Sequence, residues 1–125
     1  MAYSIGEVSE KLNVSVHTLR YYENEGLLAS IDRDANGRRV FKPRDLIMLN
    51  TIECLKSTGM PIKEIKKYIE WCYEGDSTTQ LRYDLFVDRK QVVIDQLNFL
   101  NNTMKEIELK CDFYEKALND FEQSK

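Results

Sequence analysis

The sequence of 125 residues is poor in the side chains that most catalytic and metal sites use. It has one histidine, His17, and three cysteines, Cys54, Cys72 and Cys111. A side-chain nucleophile needs a base beside it, so a single histidine argues against an enzyme. An odd number of widely separated cysteines excludes a secreted disulfide framework and a local CxxC metal or redox motif. We predict reduced thiols and neither a metal nor another cofactor.

Long apolar runs are also absent. No run approaches the roughly 18 apolar residues of a membrane-spanning helix, and the first ten residues lack the basic and then apolar layout of a signal peptide. A content of 42% hydrophobic and 31% charged residues is typical of a folded domain. We therefore predict a cytoplasmic protein with no membrane partner.

The net charge of -3 is the result of two unlike parts of the chain. Residues 1–67 carry 11 lysines and arginines against 9 acidic residues, a net charge of +2. Residues 68–125 carry 7 against 12, a net charge of -5. The acidic total therefore does not exclude a nucleic-acid partner, provided that the cations of the first part lie on one face.

Two short helices are predicted near the start of the chain. Ser4 and Glu7 have the spacing of a capping box, and apolar residues recur after Ser4 at helical spacing. Residues 13–15 predict a tight turn, with Ser15 as the N-cap of a second helix that ends at Gly26. This favours a helix-turn-helix, although any hairpin of two helices buries a similar face.

A β-hairpin and a second pair of helices are predicted to follow. Asn36-Gly37 is a hairpin turn signal between the runs 27–31 and 38–41, which we predict as the strands of a wing. Pro43 suits the first turn of a third helix, and Pro61 suits the start of a fourth. The apolar stripe of the fourth helix is Ile62, Ile65, Ile69 and Cys72, and the residues 74–77 break it.

A long helix is predicted from about residue 78, beyond which the chain has no glycine or proline. From Val93 the apolar positions alternate in steps of four and three, the pattern of a coiled-coil seam. The seam positions are Val93, Leu97, Leu100, Met104, Ile107, Cys111, Tyr114, Leu118 and Phe121. A rod of about 65 Å, at ~1.5 Å per residue, needs a partner. We favour a second copy in a two-fold homodimer, with a tail packed within its own chain as the alternative.

Specific motifs occur in this order of elements. The second helix contains Leu19-Arg20-Tyr21-Tyr22-Glu23, Gly26-Leu27-Leu28 follows it, and the wing contains Asn36-Gly37-Arg38-Arg39. The chain resembles the MerR family of bacterial transcription regulators over essentially its whole length. The resemblance implies a mainly α fold, with a winged helix-turn-helix, a second helix pair and a long dimerisation helix in an antiparallel coiled coil. We place the DNA-binding domain at residues 1–76 and the dimerisation helix at residues 77–125.

By the same resemblance, the protein is a homodimer that binds and distorts double-stranded promoter DNA and activates RNA polymerase there. His17 and Thr18 would meet base edges in a major groove, and Arg20 and Tyr21 would contact phosphate. Arg38 stands where the family more often has an aromatic residue. The residues predicted to contact DNA are Ser15, His17, Thr18, Arg20, Tyr21, Arg33, Arg38, Arg39 and Lys63.

Two further predictions concern Tyr22 and the lysines of the fourth helix. Tyr22 falls near the inward stripe of the second helix and is predicted to pack against the wing. Lys63, Lys66 and Lys67 on the fourth helix either meet phosphate or form a solvated basic face.

Cys54 is the predicted sensor. Cys72 on an apolar stripe and Cys111 in the seam are predicted as buried packing residues. Cys54 lies about 200° around the third helix from Ile52 on its apolar face, with Lys56 near enough to favour the thiolate. The segment 52–60 also resembles the MerR subgroup that responds through a lone cysteine to aldehydes and other thiol-reactive species. A buried packing role for Cys54 is the alternative.

Other functions stay open at this point. Family members usually carry a metal-binding loop or a separate drug-binding domain after the dimerisation helix, and we expect neither in this chain. A regulator that senses a non-covalent small molecule between the DNA-binding domain and the coil is one alternative. A coiled-coil scaffold whose first domain binds no DNA is another.

Overall fold

The computed structural model describes residues 2–28 and 31–124. The predicted, mainly helical fold with a small wing and a long last helix is confirmed. In chain order the elements are α1 (Ile5–Leu12), α2 (Val16–Asn24), β1 (Asp32–Arg33), β2 (Arg39–Val40), α3 (Pro43–Ser57), α4 (Ile62–Glu74) and α5 (Thr79–Gln123).

The helix-turn-helix, α1 and α2, begins at the two predicted caps. Glu7 N donates to Ser4 Oγ at 3.1 Å, and Ser4 N donates to Glu7 Oε1 at 3.0 Å, which completes the capping box. These hydrogen bonds hold the pKa of Glu7 below its ordinary value. Asn13, at φ +54°, makes the turn between the helices, and Ser15 caps α2 by accepting from Thr18 N at 3.0 Å.

The wing is an antiparallel hairpin of β1 and β2 around the predicted turn. Asp34 Oδ1 accepts from Asn36 N at 2.9 Å and from Arg38 N at 3.0 Å, and Gly37 takes φ +78°. An aspartate that bonds its own following backbone and a glycine in the left-handed region are what such a turn requires.

The strands differ in extent from the prediction. Leu27, Leu28 and Ile31 were predicted as strand, but they are buried in the hydrophobic core. Ala29 and Ser30 of the same predicted strand lie outside the described residues. A short apolar run can serve as a strand or as a core segment, and periodicity alone does not separate the two.

A third backbone segment extends the wing beside β2. Tyr3 N donates to Phe41 O and Phe41 N donates to Tyr3 O, both at 2.8 Å. The wing is therefore tied to the residue immediately before the cap of α1.

The first compact unit, here called the head unit, ends at residue 85. Its core joins α1, α2, the segment before β1, α3 and α4. The most deeply buried side chains are Val8, Leu19, Tyr22, Leu27, Phe41, Leu49, Ile52, Leu55, Ile65 and Ile69. On α4 the predicted stripe is confirmed at Ile65 and Ile69, while Cys72 is half-buried.

The corner between α4 and α5 belongs to the head unit. Gly75 takes φ +91°, and Thr78 is buried, with its hydroxyl donating to Trp71 O at 2.6 Å. Leu85 packs against the core. The head unit therefore includes the first turns of α5 and extends past the boundary predicted after residue 76.

The second compact unit, here called the tail unit, comprises in the described part of the chain residues 86–123 of α5 and residue 124. None of the described residues of α5 is a buried hydrophobic, and seam residues such as Leu97, Leu100 and Ile107 are more than half exposed. The predicted long helix is confirmed, and at ~1.5 Å per residue it is roughly 68 Å long. Among the described residues, no helix combines the length and the apolar character that a bilayer crossing requires.

Candidate nucleic-acid interface

The outer face of α2 carries three of the residues that were predicted to contact DNA. His17, Arg20 and Tyr21 follow the i, i+3, i+4 spacing that places side chains on one side of a helix. His17 and Arg20 are exposed, and Tyr21 is 44% exposed. Leu19 and Tyr22, on the opposite side, are buried at 1% exposure each. α2 is thus held by its inner face and presents a cation, an imidazole and a phenol outward.

Ser15 and Thr18 have hydroxyls that are already hydrogen-bonded to each other. Ser15 Oγ donates to Thr18 Oγ1 at 2.8 Å and accepts from Thr18 N at 3.0 Å. Ser15 is exposed and Thr18 is half-buried. The structure gives Ser15 the role of starting α2, which fixes where His17 points.

The three wing arginines, which were predicted to act together, have different surroundings. Arg38 is exposed. Arg39 Nε donates to Glu23 Oε1 at 2.7 Å, and only 20% of its side chain is exposed. Arg33 donates to Gly37 O at 2.9 Å and lies 3.8 Å from the same Glu23 oxygen. Arg39 thus joins the wing to α2, whereas Arg33 and Arg38 are exposed, and the DNA contacts of all three arginines stay predictions.

Tyr22 has a polar partner on α3 that the sequence did not predict. Its hydroxyl donates to Glu53 Oε1 of α3 at 2.5 Å and accepts from Lys56 Nζ at 3.2 Å. The polar end of Tyr22 is therefore held by α3, and the packing of Tyr22 against the wing stays a prediction. Burial, together with the hydrogen bond to Glu53, raises the pKa of Tyr22 above its ordinary value of 10.

The lysines of α4 form an exposed basic face. Lys63, Lys66 and Lys67 are all exposed. Lys66 lies against the end of α2, since a Cβ placed on Gly26 would be 3.4 Å from Lys66 Cε. The ammonium of Lys67 lies 5.7 Å from the centre of the Trp71 ring, a cation–π distance. Lys63 therefore remains a predicted phosphate contact, and Lys67 has a partner on its own helix.

The three cysteines differ in their exposure and surroundings. Cys54 is exposed on α3, as is Ile47 seven residues earlier on the same face. Cys72 is half-buried beside Tyr68, whose pKa is raised to about 12 by burial and by its hydrogen bond with Cys72. Cys111, at a seam position, is exposed in the single chain. In the described part of the chain, no three or more histidine, cysteine or acidic side chains form a cluster suited to a metal ion.

The expected proximity of Lys56 to Cys54 needs correction. The ammonium of Lys56 contacts the Tyr22 hydroxyl and lies 5.7 Å from the centre of the Tyr22 ring. Residues two apart on a helix point to different sides, so Lys56 belongs to the contact between α2 and α3.

Residues 3–71 match the family model for the MerR HTH family regulatory protein, which is more than half of the chain. The chain belongs to the MerR family. An uncharacterised HTH-type transcriptional regulator of Haemophilus influenzae is 39% identical over 94% of this chain and 87% of its own length. The MerR resemblance and the expectation of a regulator in place of an enzyme are both confirmed, because such relatives are transcriptional regulators.

Solved structures of MerR proteins agree with the fold over most of its length. HiNmlR, a MerR family regulator lacking the sensor domain and bound to promoter DNA, matches with a TM-score of 0.86 and 39% identity. That match covers 94% of this chain and 93% of HiNmlR. A MerR family regulator from Bacillus thuringiensis matches with a TM-score of 0.82 and 36% identity over 88% of this chain and 96% of that one.

The sequence prediction missed Glu23. Its signal was present, because Glu23 ends the Tyr21-Tyr22-Glu23 motif and the wing carries arginines on both sides of its turn. Only the folded hairpin places Arg33 and Arg39 opposite each other and both beside Glu23.

Proposed function

We propose that this MerR protein binds promoter DNA as a homodimer, with α2 of each subunit in a major groove and each wing on the adjacent backbone. The observation that carries the proposal is the outward face of α2, where His17, Arg20 and Tyr21 lie together on a helix whose other side is buried. The related HiNmlR, which is bound to promoter DNA, supports it.

The proposed contacts divide into two kinds. His17 reads base edges, whereas Arg20, Tyr21 and Arg38 contact phosphate. Phosphate contacts give affinity and register, and base contacts give sequence preference. Lys63 is a further proposed phosphate contact, since it is exposed on α4.

The homodimer is proposed to form through α5. From Leu97 onward the seam residues of the tail unit are exposed in the single chain, Val93 is half-buried, and all of them repeat at the heptad spacing that two helices bury together. A two-fold dimer would present two α2 helices to two half-sites, so we expect a pseudo-palindromic operator.

We further propose that Cys54 receives a thiol-reactive signal and that the modified dimer activates RNA polymerase by changing how the promoter is distorted. Exposure of Cys54 supports this role, because reactivity requires access as well as thiolate. Addition of the thiol to an aldehyde forms a carbon–sulfur bond and turns the carbonyl oxygen into a hydroxyl. Such an adduct would bias two arrangements of the dimer.

DNA binding is tested with the duplex that the wild-type protein enriches from a random-sequence library. Arg20→Ala should weaken binding to every sequence and reduce the slope of log affinity against log salt by about 0.9, the value for one phosphate contact. A His17→Ala variant should instead change preference at one position by roughly 1–3 kcal/mol. Lys110→Ala, which removes an exposed charge from the tail unit, is the matched control. Equal binding by Arg20→Ala and wild type would refute the assignment.

The sensor role is tested by transcription from the enriched operator with and without an aldehyde. Cys54→Ser should keep dimerisation and DNA binding but lose the response. Cys111→Ser, which also removes an exposed thiol from the single chain, is the control and should keep the response. A response that survives Cys54→Ser means that the signal enters elsewhere.

A further inference from the structure

Arg33 and Arg39 are directly opposite each other in the wing hairpin. Side chains at opposed positions lie on the same face of a two-stranded sheet, so two cations share one side of the wing. That side faces α2, because Arg39 Nε is 2.7 Å and Arg33 Nη2 is 3.8 Å from Glu23 Oε1. The Glu23 carboxylate, near the end of α2, is thus the acidic partner of both wing arginines.

The charge and burial around the Glu23 carboxylate explain why it affects the geometry of the head unit. Like charges directly opposite in a hairpin repel each other. Glu23 and Arg39 are only 19% and 20% exposed, so solvent screens their attraction less than it screens a surface pair. Glu23 therefore offsets the repulsion between the arginines and fixes the wing against α2.

Glu23 is also next to Tyr22 in the sequence, and the two side chains bind different elements. Tyr22 is held by Glu53 of α3, whereas Glu23 holds Arg39 of the wing. Tyr22 thus links α2 to α3 in the core, and Glu23 links α2 to the wing.

We infer that Glu23 is a positioning residue, which sets the register between the base-reading face of α2 and the phosphate contact of the wing, and which withholds Arg39 from phosphate. This inference rests on the proposed DNA binding. With Glu23 in place, α2 and Arg38 meet the duplex as one body, so the wing's contact is made only where α2 is in register. Without the carboxylate, the wing keeps its pairing with Tyr3 but loses its side-chain link to α2, and Arg39 is released to bind any backbone.

The experiment compares Glu23→Gln with Glu25→Gln. Both variants remove one negative charge at the same end of α2, but among the described residues Glu25 forms no ion pair. Affinity is measured over a range of salt for the library-enriched duplex and for a scrambled duplex of equal length. Hydrogen exchange of the wing amides is measured without DNA.

For Glu23→Gln we expect faster exchange of the wing amides and a salt slope steeper by about 0.9 for each arginine that reaches a phosphate. The ratio of enriched to scrambled affinity should fall several-fold, since the added contacts carry no sequence information. A damaged head unit would instead lose both affinity and slope. Adding Arg39→Gln to Glu23→Gln should remove much of the added slope.

Two results would overturn the inference, and they are distinguishable. If wild type enriches no duplex, the proposed DNA binding fails and this inference fails with it. If wild type binds its duplex but Glu23→Gln and Glu25→Gln agree in slope, ratio and wing exchange, only the role of Glu23 is refuted.

Discussion

The head unit and the tail unit differ in the exposure of their apolar side chains. In the head unit Leu49 and Ile52 are fully buried by elements of their own chain, whereas Leu97 and Leu100 in the tail unit are 54% and 60% exposed. Both pairs follow a helical spacing, so local pattern does not distinguish them. The difference teaches that the head unit is stabilised from within, whereas the tail unit leaves apolar side chains exposed, and under the proposed homodimer its stability should depend on concentration.

The largest expected effect comes from charging the seam. Leu100→Glu with Ile107→Glu should convert the dimer to a monomer at micromolar concentration, as measured by sedimentation velocity. At about 1.5–3 kcal/mol for each buried side chain, two sites in each of two chains amount to roughly 6 kcal/mol or more. The head unit should stay folded, which Trp71 fluorescence reports.

The matched control for the seam is Phe99→Glu with Leu109→Glu. These residues are 70% and 63% exposed but lie off the seam on the same helix, so this variant should remain dimeric. Equal dissociation of both double variants, or a wild type that sediments as a monomer, would contradict the division into two kinds of unit.

An intermediate effect is expected from the core of the head unit. Ile52→Ala should lower the free energy of unfolding by about 2–5 kcal/mol, because it leaves a cavity among packed side chains. Ile47→Ala on the same helix, where the side chain is 68% exposed, should change it by less than about 0.5 kcal/mol. Urea denaturation followed by Trp71, the single tryptophan, measures both. Similar losses for the two variants would show that α3 is not held by this core.

The smallest effect concerns the contact of α2 with α3. Tyr22→Phe should cost about 1–3 kcal/mol at neutral pH, because it removes a hydrogen bond to a charged group. The pKa of Tyr22 is raised in the folded state, so the phenol's contribution is complete below its unfolded value of about 10 and is lost as pH rises above it. The stability difference between wild type and Tyr22→Phe should therefore shrink above pH 10. A difference that stays constant to pH 12 would mean that the Tyr22 hydroxyl is not held as described.

The fold was predictable where the signal is local. Ser4 with Glu7, Ser15, and Asn36-Gly37 mark two caps and a turn whose chemistry depends on residues within a few positions, and each formed as expected. The family motifs then identified the arrangement of the elements.

The parts that were missed depend on partners distant in the chain. Periodicity placed Tyr22 near an inward stripe but did not say that Glu53 would receive its hydroxyl. It likewise did not show that Glu23 would bind Arg39, since that contact exists only after the hairpin folds back on α2. Helical angle placed Cys54 on an outer face, but its reactivity stays a prediction because it depends on what meets that face.

The pairing of Tyr3 with Phe41 has a practical consequence for handling the protein. These two residues exchange backbone hydrogen bonds beside β2, so Tyr3 lies against the wing. An affinity tag fused shortly before Tyr3 would be joined almost directly to a residue paired with the wing, and a histidine tag at that place would bring its imidazoles to the edge of the proposed DNA contact. Binding measurements on tagged protein would then report the tag as well as the wing, so the tag should be cleaved before affinities are compared.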